Sequence, residues 1–185
     1  MPKTVPSLRS EDSAGRRAAR RHVAALAAGV SCLLVAGPAG AGEASGAITY
    51  PKAGRPTLTA TLKHAYLLKG PDVIDPTRIV RRLYLTSTDI GSALKACSSL
   101  SCADGNVTEG MTLDLDSDQR FGYWVALKNG TVQYSGTAKK ETLEASVNAP
   151  ERVTGTFRAD DTTAGGPKVE VKFDASVLKE MKTAM

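Results

Sequence analysis

Apolar and polar residues alternate most regularly between Phe121 and Gly136, FGYWVALKNGTVQYSG. Two alternating arms flank Asn129-Gly130, a pair favoured in two-residue type I′ turns because both central residues need positive φ. Such a turn pairs Lys128 with Thr131, Leu127 with Val132, Ala126 with Gln133, Val125 with Tyr134 and Trp124 with Ser135. Side chains alternate faces along a strand. Tyr123, Val125, Leu127, Val132 and Tyr134 therefore share one face, and Trp124, Ala126, Lys128, Thr131, Gln133 and Ser135 share the other. The first face is apolar and predicted to be buried. The second is polar apart from Trp124, the only tryptophan of the chain. Both arms specify the same inside, and a slip of one residue would turn every apolar side chain into water.

The alternation extends in both directions. Thr57 to Leu68 places Leu58, Ala60, Leu62, His64, Tyr66 and Leu68 on one side, which predicts one long strand. Ile79 to Thr86 is a second, interrupted by Arg81 and Arg82. Met111 to Asp116 points Met111, Leu113 and Leu115 inward and Thr112, Asp114 and Asp116 outward. Leu143, Ala145 and Val147 mark another strand. Val153 to Ala159 and Val169 to Ala175 complete the set, joined by 160–168 with its Gly165-Gly166-Pro167 turn chemistry. Helical spacing occurs at Ile90, Ala93, Leu94 and Cys97 and predicts one short helix over about 88–97, capped by Ser87, Thr88 or Asp89. A turn of helix is expected from Ser176. Gly70-Pro71 and Asp75-Pro76 put 69–77 in a loop. Residues 42–56, rich in Gly, Ala and Ser with two prolines, read as a flexible lead-in.

No strand alternates with a long helix, which argues against a parallel sheet. The expected fold is all-β, an antiparallel sandwich or small barrel of about seven or eight strands. It occupies 57–178 as a single domain, followed by a tail over 179–185.

The N-terminal stretch has another character. Arg16, Arg17, Arg20 and Arg21 precede an apolar run from Val23 to Ala36, followed by Ala39-Gly40-Ala41. Positive, apolar, then small residues is the order of a secretory signal peptide, here 1–41. The run is shorter and less apolar than a spanning helix requires, so no stable membrane span is expected after cleavage. A twin-arginine signal is the second choice, since Ala19-Arg20-Arg21-His22-Val23 lacks most of the usual flanks. The protein is thus expected in the periplasm or secreted from a bacterial envelope. On that reading the sequons at Asn106 and Asn129 carry no glycan.

Removing the leader changes the charge argument. The chain has 24 Lys and Arg against 19 Asp and Glu, and the leader holds six of the former and two of the latter. The remainder is nearly neutral, which gives no basic footprint for nucleic acid. Of three cysteines, Cys32 leaves with the leader. Cys97 and Cys102 then form a close pair, read as a disulfide in an oxidising compartment. A loop this small contributes roughly 2 kcal/mol in the chain-entropy model, enough to tie a turn.

Candidate chemistry is sparse. Asp114, Asp116 and Asp118 form D-x-D-x-D, but a calcium loop would need Gly at Gln119 and a carboxylate at Val125. His64, the sole histidine after the leader, sits on an apolar strand face. No G-x-S-x-G elbow accompanies it. Arg78, Arg81 and Arg82 form a basic group without the interleaved aromatics that bases would stack on. No cofactor or metal is implied. Trp124 is the candidate contact anchor, with Lys128, Gln133 and Arg158 as polar neighbours, because tryptophan is enriched at interface hot spots. These features favour a non-enzymatic β-domain that binds a protein or an envelope polymer, an inhibitor or immunity-type protein being one version. A small secreted hydrolase and a small-ligand or carbohydrate-binding barrel are the alternatives.

Overall fold

The computed structural model describes residues 41–184 apart from 53 and 118. Residues 1–40 of the predicted leader, and Asp118 of the acidic run, lie outside the described residues. The strands are β1 (Gly42–Lys52), β2 (Arg55–Pro71), β3 (Ile79–Thr86), β4 (Gly110–Asp114), β5 (Arg120–Leu127), β6 (Val132–Lys139), β7 (Leu143–Ala149), β8 (Arg152–Asp160) and β9 (Lys168–Glu180). Two short helices, α1 (Gly91–Ala96) and α2 (Leu100–Asp104), lie between β3 and β4. All nine strands belong to one sheet in the order β6-β5-β4-β3-β2-β1-β9-β8-β7. It curls into an antiparallel half-barrel, so the two stacked sheets of a sandwich give way to one sheet folded over its own inner face.

The inner face is filled. Leu83, Leu113, Val125, Phe157 and Val171 are among its buried residues. Tyr123 reaches across the curl to Phe157, ring centroids 5.9 Å apart, and Tyr134 reaches Tyr50 at 6.3 Å. Strands β6 and β7 end the sheet on opposite sides. A 3₁₀ turn over Lys140–Thr142 joins them, and no ladder is formed between them.

The hairpin register is the one the alternation predicts. Leu127 pairs with Val132, Val125 with Tyr134 and Trp124 with Ser135. Asn129 and Gly130 both take positive φ, 55° and 76°, and Lys128 joins them at 54°. The Thr131 N–H donates to the Lys128 carbonyl at 3.3 Å, closing the turn.

Elsewhere the structure corrects the sequence reading. Among the described residues the strand count is nine, because the segment expected as a lead-in forms β1 in the middle of the sheet, between β2 and β9. Its small residues are demanded by packing: a Cβ on Gly46 would lie 2.1 Å from the Glu170 carbonyl oxygen of β9. The turn of helix expected from Ser176 is instead the continuation of β9. Beyond Gly42, where β1 begins, β9 pairs directly with β2 in parallel, from Leu67–Val177 to Lys69–Glu180. The apolar side of β2 also divides. Ala60 and Leu62 face inward with Ala65 and Leu67, whereas Tyr66 and Leu68 face outward. The change of parity falls where the β1–β2 pairing is irregular, between Glu43 and Gly46.

The outward residues receive a second layer. Tyr66, Leu68, Tyr84 and Ala126 pack against Leu94 of α1, Leu100 and Ala103 of α2, and Met181. The helix expected over about 88–97 is the shorter α1, and a second, unpredicted helix, α2, follows it beyond Cys97. Neither has the length to be stable alone; burial against the sheet holds them, at about 1.5–3 kcal/mol for each large side chain sealed from water. The N-cap of α1 is Ile90, without a side-chain cap, in place of the expected Ser87, Thr88 or Asp89; Asp89 Oδ1 instead accepts the Gly91 N–H at 2.8 Å and the Tyr66 hydroxyl at 2.6 Å. Burial, with that hydrogen bond, pushes the Tyr66 hydroxyl up to about 12.

Candidate functional site

The helical layer stops halfway across the outer face of β5. Ala126 is fully covered, Trp124 is half-buried, and Gly122 has no side chain to fill the space beside it. Trp124 is opposed by Thr112 on β4 and Ser135 on β6. These small neighbours leave a groove of about 740 Å³, floored by the sheet and walled by Asp104, Gly105, Val107 and Thr108. The hairpin turn forms its other rim. Gly130 donates its N–H to the Thr108 carbonyl at 2.7 Å, and Gln133 Nε2 donates to the Gly130 carbonyl at 3.1 Å.

One wall is an ordered charge system. Arg82 on β3 is paired in register with Asp114 on β4. Its Nε donates to Asp114 at 2.6 Å and its Nη1 to Asp104 at 2.5 Å, with the side chain 15% exposed. The Tyr84 hydroxyl donates to the second Asp104 oxygen at 2.9 Å. Burial opposes the guanidinium charge, but Asp104 and Asp114 outweigh it and hold Arg82 more firmly cationic than usual. Burial lifts the Asp104 carboxyl above the usual range against the pull of Arg82. It also raises the Tyr84 hydroxyl, with Asp104 adding to the shift. Paired and hydrogen-bonded on both oxygens, Asp104 is a fixed acceptor at the groove.

The position of Asp104 depends on α2, and α2 depends on the cysteines. Cys97 and Cys102 form a disulfide with Cα atoms 5.5 Å apart. Ser99 caps α2, its Oγ accepting the Cys102 N–H at 3.2 Å. From the far end of β9, Lys179 donates to the Lys95 carbonyl at 2.6 Å and to that of Cys97, while Thr183 donates to the Ser98 carbonyl at 3.0 Å.

Of the residues singled out by sequence, the groove brings together the contact candidates Trp124 and Gln133 with Arg82 of the basic group and Asp114 of the acidic run. Lys128 lies in the adjacent turn, exposed and outside the lining. Arg158 is on β8, six strands from β5 in the sheet order, and pairs with Glu144 at 2.8 Å and Glu170 at 3.3 Å. The residues that sequence reasoning missed as site members are Arg82, Asp104, Asp114 and Thr112. Asp114 and Thr112 carried the signal of an outward-facing position, but only the β3–β4 and β4–β5 pairings set them beside Arg82 and Trp124.

The other candidates have partners within the fold. The ring of His64 is half-buried and stacks on Tyr66, centroids 6.4 Å apart. Of the acidic run, Asp114 serves Arg82, and Asp116 holds Arg81 at 2.6 Å and accepts its backbone N–H at 2.7 Å. Arg78 pairs with Asp72 at 2.6 Å. Among the described residues no group of three or more His, Cys, Asp or Glu is placed to hold a metal ion, and no helix is long and apolar enough to cross a membrane. The loop 72–78 presents Ile74 at its tip, 93% exposed, a feature whose only sequence signal was an apolar pair between turn residues.

No protein-family model matches the chain, and neither the curated proteins nor the solved structures contain a match to it.

Proposed function

We propose that the chain is an exported, non-enzymatic β-domain that binds another macromolecule in the cell envelope, with the Trp124 groove as its contact surface. An inhibitor or immunity-type protein is one form of this reading. The observation that carries it is a half-buried indole in a braced groove, on a sheet face whose neighbouring apolar residues are sealed beneath helices. Tryptophan anchors in preformed depressions supply a large share of binding energy at interfaces. Export is supported by the order of charged, apolar and small residues before β1 and by the disulfide, which suits an oxidising compartment.

The alternatives have weaker support. A hydrolase would need His64 open to solvent beside a nucleophile, and its ring is packed on Tyr66. An internal ligand carrier would need a hollow, and the inner face is occupied by side chains. Capture of envelope material on immobilised protein tests the proposal. Trp124→Ala is expected to cost at least about 2 kcal/mol of binding while leaving the circular dichroism spectrum unchanged. Equal capture by the folded variant would remove the groove as the contact surface.

A further inference from the structure

We infer that the groove takes a neutral polysaccharide, with Trp124 packed against the face of a sugar ring; this rests on the reading of the groove as a contact surface. Of the large apolar side chains that line the groove, Val107 and Tyr123 are buried and Trp124 alone is half-exposed. The large exposed hydrophobic residues of the described chain are Val73, Ile74, Ile79 and Val147, and none lines the groove. A protein-binding hot spot ordinarily clusters several aromatic or aliphatic side chains. Around this ring are instead Gly122, Gly136, Ser135 and Thr112, which make a flat ledge, and beyond them planar polar groups.

That pattern matches a pyranose. Its axial C–H bonds form an apolar face that packs on an indole, while its hydroxyls point outward in the ring plane. Arg82 and Asp114 supply a planar donor and acceptor, locked by their own pairing so that little entropy is lost on binding. The side chains of Thr112, Ser135 and Asn129 make no hydrogen bond to any described residue and are left for a ligand. Asp104 and Asp114 against Arg82 leave the lining with one net negative charge, which disfavours phosphate, sulfate and uronate polymers. The volume lies within the range of small-ligand sites, roughly 300–1,000 Å³, so a few sugar rings fill it. Gln133 and Ser135 lie on β6, the terminal strand of the sheet, so the groove runs out at an edge and a chain can continue past it.

Because Trp124 is the only tryptophan, a fluorotryptophan label gives one fluorine NMR signal that reports on this groove alone. Titration of the full chain with chitohexaose and with cellohexaose is expected to shift that signal saturably with at least one of them, and dextran sulfate is expected to leave it unmoved. By calorimetry, Trp124→Ala is expected to weaken the same binding about thirtyfold, and Ser135→Trp, which fills the ledge, to abolish it. Envelope extract separates the two levels of the reading. A shift that survives proteinase supports the glycan, whether or not periodate removes it, since 1,4-linked N-acetylhexosamines lack the vicinal diol that periodate cleaves. A shift that survives periodate and is lost after proteinase overturns the glycan and keeps the groove as a protein contact. No shift with either sugar or with untreated extract overturns both.

Discussion

Two tyrosine–aspartate clusters in this protein do different work. At the groove, Asp104 receives one tyrosine, Tyr84, and one arginine. On the inner side, Asp161 receives two tyrosines and no cation: Tyr123 at 2.5 Å and Tyr134 at 2.8 Å. The inner pair links the β5–β6 hairpin to the segment after β8, and so fastens the curl of the sheet. Burial, then the hydrogen bond to Asp161, raises the Tyr123 hydroxyl, keeping it a donor at all ordinary pH. The outer cluster holds a formal charge pair at an open wall, where a ligand can read it. The uncharged donors at Asp161 thus serve the fold, and the arginine that joins a tyrosine at Asp104 serves the surface.

That contrast can be broken, and removing the cation should do most. Arg82→Ala leaves Asp104 and Asp114 facing each other without compensation, and loss of one member of a largely buried pair costs about 3 kcal/mol. Chemical denaturation measures it. A loss below about 1 kcal/mol would mean the pair behaves like a surface ion pair. Asp161→Ala should cost about 2 kcal/mol, since the Tyr123 hydroxyl is then buried without an acceptor. Its distinguishing mark is that the groove survives: binding at Trp124 should stay within twofold of the parent, whereas Arg82→Ala should weaken it.

The disulfide sharpens the same division. Replacing Cys97 and Cys102 by Ser should cost roughly 2 kcal/mol by the loop-entropy estimate, with the disturbance confined to α2 and the groove wall. Hydrogen exchange should show faster amides in 98–105 and unchanged protection in β5–β9. Uniform loss of protection would refute the local role.

The smallest effect is a pH slope. The folded Asp104 carboxyl lies above its ordinary value of 3.8 because burial outweighs Arg82. The unfolded chain therefore loses that proton more readily, and the cost of ionising Asp104 is fully present at neutral pH. The cost is relieved as pH falls through the folded value toward 3.8. Asp116 behaves oppositely. Burial raises it, but Arg81 wins and lowers it, so its contribution is present above 3.8 and is lost as pH falls through the folded value. Stability of Asp104→Asn relative to the parent should decline between neutral pH and about 4. For Asp116→Asn it should recover below that range. Parallel curves for all three proteins would show that neither shift matters to folding.

The legible parts of the fold were those with local causes. The β5–β6 register followed from Asn129-Gly130 and alternation within sixteen residues, because turn geometry and face burial specify the same pairing. Strand β1 was illegible because Gly42, Ala44, Ser45 and Gly46 resemble a linker, and the reason Gly42 and Gly46 carry no side chain is the backbone of β9, more than a hundred residues away. Ser176 to Glu180 read as helical until β2 supplied a parallel partner. At the site, Trp124 stood out as the odd member of a polar face. Arg82 looked like an interruption in a strand; its meaning came from Asp104 and Asp114, contributed by a helix and a strand 22 and 32 residues away.

What the chain determined by itself was the all-β class, the inward face of the central hairpin, the Cys97–Cys102 pairing and the singular position of Trp124. Each depends on neighbours within a few residues, where spacing alone sets the geometry. The tertiary structure alone decided that the strands form one curled sheet, that β2 changes faces midway, and that helices cover Ala126 but stop short of Trp124. Those outcomes depend on which distant strands share hydrogen bonds, and pairing across the sheet is chosen by the total burial it permits, a quantity no local window contains.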